Sequence, residues 1–204
     1  MNREFLSSLS NGFLDSDIPS LSKYGPLLIS NDQTRGRKVL DSILSCLKDC
    51  ESFSMAVAFV TKSGVISILN QLSDLETRGI RGRVLVSQYQ NFSQPEALRA
   101  LLRLQNIELR ISNRGAFHAK SYIFAKRGGY SDIFVGSSNL TANALSTNKE
   151  WNLKVSARIE SKLLKEVQSE FELEFKAAIG VTAKYIDDYE CISSALLGDV
   201  RPKT

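Results

Sequence analysis

FHAKSYIF, residues 117–124, and FVGSSNLT, residues 134–141, are the two segments on which the reading of this chain turns. The first carries the sole histidine, His118, with Lys120 two residues later among apolar neighbours. In a strand, residues i and i+2 share a face. His118, Lys120 and Tyr122 therefore project together, and Ala119, Ser121 and Ile123 project the other way. Burying a lysine without a partner is costly, so the pair suits a cleft that receives an anion. Lys120 would bind the charge, and His118 is the group suited to nucleophilic or acid–base work near neutral pH. In the second segment Gly136 lets the backbone approach closely. Ser137 and Asn139 share a parity and offer hydroxyl and amide donors to phosphate oxygens. GSSN by itself also reads as a turn. Glu150, just before Trp151, is placed to orient an imidazole, as carboxylates do beside catalytic histidines.

Outward from these segments, helical and strand periods alternate. Val39, Leu40, Ile43, Leu44 and Leu47 predict a helix within 34–50, followed by a buried strand at 53–61. Ser63 and Gly64 open a second helix that Gly79 stops. A strand is expected at 82–89. SQPE, 93–96, reads as a capping box with proline at the first helical position. Strands are expected at 107–111, 118–125, 132–138 and 150–157, the second and third joined by an RGGY turn. A last helix, about 160–179, would bury Leu163, Leu164, Val167, Phe171 and Phe175. Helices alternating with strands, then a block of strands, predict an α/β fold with a mixed β-sheet flanked by helices on both faces. Residues 1–30 read as an irregular lead-in anchored by Phe5, Leu9, Phe13 and Leu14, 31–186 as the domain, and 187–204 as a weakly patterned tail.

With 43% hydrophobic and 24% charged residues the composition is that of an ordinary globular domain. No apolar run approaches the roughly 20 residues that span a bilayer, and MNREFLSSLSNGF does not read as a secretory signal. Cys46, Cys50 and Cys191 form an odd, sparse set, which predicts a reducing, cytoplasmic setting and no disulfide framework. One histidine leaves no second Cys/His pair to complete a zinc site, so no metal and no cofactor is expected. The net charge of +4 is unevenly spread. From Arg78 to Arg127 ten Lys/Arg face only Glu96 and Glu108, whereas from Glu160 to Glu190 eight acids face four lysines. A basic centre suits a polyanion such as nucleic acid. Arg78, Arg81, Arg83, Arg110, Arg114, Lys126 and Arg127 are the candidate backbone contacts, with a solvated basic face as the alternative.

HxK, then GSxN about one strand later, then an acid beyond the next loop, resembles the phospholipase D superfamily. His118, Lys120, Gly136, Ser137 and Asn139 match its signature, and Glu150 matches an acid found downstream in its nuclease branch. The family's usual Asp falls on Ala125; Asp132 is not at the motif's spacing. A wider likeness, through AVAFVTKSG (56–64), LVSQYQNFSQPEAL (85–98), IELRIS (107–112) and NKEWNL (148–153), is to the phospholipase D-like nuclease domains of bacteria. These occur as restriction endonucleases and fused ahead of superfamily II helicase modules, so the resemblance implies such a helicase as a fused or associated partner. The chain itself has no GxxxxGK[ST] pattern.

The resemblance also implies a metal-independent phosphodiester hydrolase, a nuclease acting on DNA, in which one histidine forms a phosphohistidine and a second protonates the leaving oxygen. This chain has one histidine, one HxK and no internal repeat. The expectation is a homodimer that brings His118 of both subunits to one site on a two-fold axis. The competing expectations are a catalytically weak nucleic-acid-binding module, favoured by Ala125, and a phosphodiesterase acting on lipid.

Overall fold

The computed structural model describes residues 25–88, 92–115 and 117–198, with side chains through Cys191. The predicted anchors Phe5, Leu9, Phe13 and Leu14 lie outside the described residues. Eight strands form one sheet in the order β1-β7-β6-β5-β2-β3-β4-β8. They are β1 (Leu27–Ser30), β2 (Cys50–Val57), β3 (Gly82–Ser87), β4 (Ile107–Ser112), β5 (Ser121–Lys126), β6 (Tyr130–Gly136), β7 (Trp151–Arg158) and β8 (Ile179–Gly180). β2, β3 and β4 are parallel, and every other pairing is antiparallel. The helices are α1 (Val39–Lys48), α2 (Lys62–Thr77), α3 (Pro95–Leu102), α4 (Ala142–Ser146), α5 (Lys162–Ala177) and α6 (Ala183–Gly198).

The expected mixed sheet with helices on both faces is what forms, and alternation explains it. On β5, Tyr122 and Phe124 enter one core with Ile43 and Leu47 of α1, Leu72 and Leu75 of α2, Leu98 and Leu101 of α3, and Ile186 of α6. Ile123 faces the opposite way, into a smaller core with Leu164, Phe171 and Phe175 of α5. One face thus carries most of the helices, and α5 covers part of the other.

Several boundaries differ from the periodic reading, each for a tertiary reason. β2 ends at Val57 rather than running on to 61, because the backbone amides of Ala58 and Phe59 donate to the side-chain oxygen of Asn139, at 3.0 and 3.3 Å. β5 begins at Ser121 rather than His118. The capping box at 93–96 does not form. Ser93 instead donates to the carbonyl of Ser87 (3.0 Å), and Gln94 is the N-cap, its side chain accepting from the backbone of Lys62 at 2.7 Å. Helix α2 is capped two residues ahead of the expected Ser63, by Thr61, whose hydroxyl accepts from Gly64 N. Short β1, α4 and β8 escaped the sequence reading, as did the whole of α6.

Candidate active site at the carboxyl edge of the sheet

The ends of β2, β3, β4 and β6 and the starts of β5 and β7 meet at one edge. Register carries this: Ala56 pairs with Ser121, Ser121 with Val135, and Gly136 with Asn152. Crevices beyond the carboxyl ends of parallel strands are where open α/β sheets bind ligands. His118, Lys120, Ser137, Asn139 and Glu150 all come to this edge.

His118 is exposed and Lys120 is 9% exposed, just ahead of β5. The Lys120 ammonium lies 2.9 Å from Nδ1 and 3.1 Å from Nε2 of His118 and donates to the His118 carbonyl at 2.8 Å. Burial pushes the Lys120 pKa below the usual lysine value, and the nearby Glu150 carboxylate opposes that shift. Ser137 donates to the Glu150 carboxylate, and its hydroxyl accepts from the backbone of Trp151 at 3.1 Å. Asn139 is oriented by its two backbone donors: its oxygen faces Ala58 and Phe59, which leaves the amide NH2 as its donor for a bound anion.

The loop that presents Ser137 and Asn139 is braced from below. A methyl group on Gly136 would collide with the carbonyl of Trp151 and with Asn152, so only glycine fits. Tyr122 donates to the Ser138 carbonyl at 3.0 Å, and Asn152 donates to the Ser138 hydroxyl at 2.8 Å. Ser138 is fully buried. Ser138 and Asn152 were missed from the sequence, since neither polar residue has a spacing of its own to mark it.

Ala125 lies five residues beyond Lys120 on β5, about 16 Å at a strand rise of roughly 3.3 Å per residue. A side chain there cannot reach the His118 edge. Ala125→Asp is accordingly expected to change phosphodiester cleavage by less than about threefold, as distant, uncoupled sites do; steady-state rates measured beside the parent protein check this.

Of the seven candidate backbone contacts, the structure brings only Arg114 to this edge, where it lines a cavity with His118 and pairs with Glu174 at 2.7 Å. Arg83 is held by Glu172 and the ring of Phe171, and Arg110 by Glu108 and the Phe175 carbonyl. Lys126 is buried, donating to the Cys46 carbonyl at 2.8 Å and paired with Asp49, because its strand parity turns it under α1. Arg78, Arg81 and Arg127 flank the opposite end of β2, β3 and β5, where Arg78 meets Asp74 and Arg127 meets Glu51. Among the described residues no group of three or more His, Cys, Asp or Glu could hold a metal ion, and no helix is long and apolar enough to cross a membrane. Burial pushes the Cys46 thiol up to about 12 and Cys50 to about 11, so neither is a nucleophile near neutral pH.

Comparisons with known proteins agree with this geometry. No curated protein sequence matches the chain. Among solved structures, Nuc of Salmonella typhimurium, a phospholipase D family member, superposes with a TM-score of 0.60 at 18% identity, covering 78% of this chain and 99% of its own. NucT from Helicobacter pylori gives 0.59 at 19%, covering 76% and 98%. Phosphatidylserine synthase of Haemophilus influenzae gives 0.59 at 14%, covering 88% of this chain and 45% of its own. These likenesses establish the fold. The family described as "Cardiolipin synthase, PLD-like domain" matches residues 43–175, spanning every residue of the HxK and GSxN pair, and the chain therefore belongs to the phospholipase D-like family.

Proposed function

We propose that this protein, a phospholipase D-like phosphodiesterase by family, is a nuclease acting on DNA through a phosphohistidine at a site shared by two subunits. The observation that carries the reading is the convergence of His118, Lys120, Ser137, Asn139 and Glu150 on one sheet edge, with a cation and an oriented amide NH2 beside an exposed imidazole. In the proposed reaction an imidazole nitrogen of His118 attacks phosphorus and the bond to the leaving oxygen breaks. His118 of the second subunit gives that oxygen its proton. The same histidine then takes a proton from water, whose oxygen displaces the first imidazole and releases a phosphomonoester. Lys120 and Asn139 stabilise the charge that grows on the non-bridging oxygens.

A homodimer is supported by an uncovered apolar row on the sheet face beside the site. Leu28 pairs with Leu153, and Leu153 with Val135, across β1, β7 and β6. All three are exposed, and Trp151, two residues along β7 from Leu153 and next to Glu150, is 64% exposed. Contiguous exposed apolar side chains mark interaction surfaces. The three free cysteines fit the proposed cytoplasmic setting. Arg114 is the basic residue proposed to meet the nucleic-acid backbone near the reacting phosphate. The partner proposed for this domain is a fused or associated superfamily II helicase.

Incubation with DNA in EDTA tests the reading: cleavage that persists in chelator and disappears in His118→Ala supports it, and cleavage indifferent to His118 overturns it. A pH profile tests the Lys120 charge. The lysine pKa is already lowered by burial, and Glu150 holds it up. Glu150→Gln removes that support, so Lys120 loses its proton earlier as pH rises. The alkaline limb of the activity profile is expected to move to lower pH, read from kcat/KM across the alkaline range.

A further inference from the structure

Beside His118 the gap between the sheet and α5 opens into a cavity of about 600 Å³. Its floor is apolar: Ala56 and Leu85 from the sheet, and Phe117 and Ala119 flanking His118. Its wall is one face of α5, where Leu163, Val167 and Phe171 alternate at helical spacing with Glu166, Glu170 and Glu174. Two of these carboxylates are engaged, Glu166 by Lys162 at 3.6 Å and Glu174 by Arg114 at 2.7 Å. Glu170 is exposed and, among the described residues, has no hydrogen-bond or ion-pair partner.

This lining has two consequences. Carboxylates repel a phosphate backbone, so the substrate backbone is kept off the Glu166 and Glu170 stretch of α5 and is left to the end where Arg114 stands. A neutral, flat, apolar group tethered to the phosphate at His118 can enter, since the half-buried Phe117 beside it offers ring surface. A carboxylate accepts hydrogen bonds and donates none, so it favours a base edge bearing an exocyclic amino group over one bearing a carbonyl. The scissile phosphate held at Lys120 and Asn139 would leave its adjoining nucleoside within reach of the cavity.

We propose that this cavity is a subsite for one unstacked nucleobase adjoining the scissile phosphate, and that Glu170 selects an amino-bearing base, cytosine over thymine. The proposal rests on the nuclease reading above and names its base preference. It requires the base to leave a duplex stack, so single-stranded segments are the preferred substrate.

The test is calorimetric titration of the parent protein with 2′-deoxycytidine and 2′-deoxyuridine 5′-monophosphates, which differ in the base at C4, amino against carbonyl, and at N3, bare nitrogen against N–H. The deoxycytidine nucleotide is expected to bind at least about fivefold more tightly, the discrimination one such base contact gives. Glu170→Gln, an exposed substitution that leaves the fold intact, is expected to bring the ratio close to unity. Val167→Trp, which fills the cavity, is expected to weaken both ligands. Equal affinities in the parent protein, no binding of either, or a ratio unmoved by Glu170→Gln would each overturn the subsite. The nuclease reading fails separately, by the absence of His118-dependent cleavage of bis(4-nitrophenyl) phosphate, a diester without a base.

Discussion

His118→Ala is expected to lower phosphodiester cleavage by about 10⁴-fold or more, the scale seen when a covalent nucleophile is removed. The exposed imidazole is the chain's sole histidine, so no neighbour within the subunit can replace it. The size of the loss does not by itself separate a shared site from an independent one, but mixing does. If both histidines of a dimer serve one site, as proposed, the mixed dimer is inactive. After equal amounts of parent and variant subunits exchange at random, about a quarter of the dimers keep both histidines, and activity falls to about a quarter of the parent level. Independent sites would leave about half. The measurement is the specific rate of the exchanged mixture, with the dimer itself verified by sedimentation. A monomer cleaving at full rate would remove the shared site altogether.

The second large effect separates two roles in Asn139. Its oxygen holds the amides of Ala58 and Phe59, where β2 ends, and its NH2 is the proposed phosphate donor. Asn139→Ala removes both. Each amide left unpaired costs about 1–3 kcal/mol, so for the two a loss of about 2–6 kcal/mol is expected, together with activity. Asn139→Asp keeps an oxygen acceptor for the two amides but replaces the donor with a second, negatively charged oxygen. Its denaturant midpoint is expected to stay near that of the parent while cleavage falls by about 10²-fold or more, the scale of losing one donor to the transition-state oxyanion. If Asn139→Asp cleaves at the parent rate, the amide donor has no catalytic part. If it unfolds as readily as Asn139→Ala, the oxygen is not what holds the end of β2.

Much of the site was legible because strand parity is local. The i, i+2 relation put Tyr122 and Ile123 on opposite faces of β5, where they enter different cores, and DIFV, 132–135, read as strand and lies within β6. Helix α5 was legible in the same way, from Leu164, Phe171 and Phe175 at helical spacing. The ends of elements were not, because distant side chains set them. Asn139 stops β2 from some 80 residues away, and the carbonyl of Ser87 draws Ser93 out of its expected capping role. The cavity wall was also hidden. Glu166, Glu170 and Glu174 were legible as part of the acidic segment from Glu160 to Glu190, and only the fold set them around a cavity with His118.

Charge shows the division most clearly. The sequence alone determined that His118 and Lys120 belong together, that GSSN follows one strand later, and that a basic centre is succeeded by an acidic segment. Only the tertiary structure decided what that basic centre does. Arg83 and Arg114 meet Glu172 and Glu174 of α5, Arg99 meets Asp187 and Glu190 of α6, and Lys126 lies buried against α1. Strand and helix periods arise from neighbours along the chain and are written in it directly. Ion pairs between residues 60 to 91 positions apart depend on which faces the sheet and helices bring together, and no local pattern encodes that.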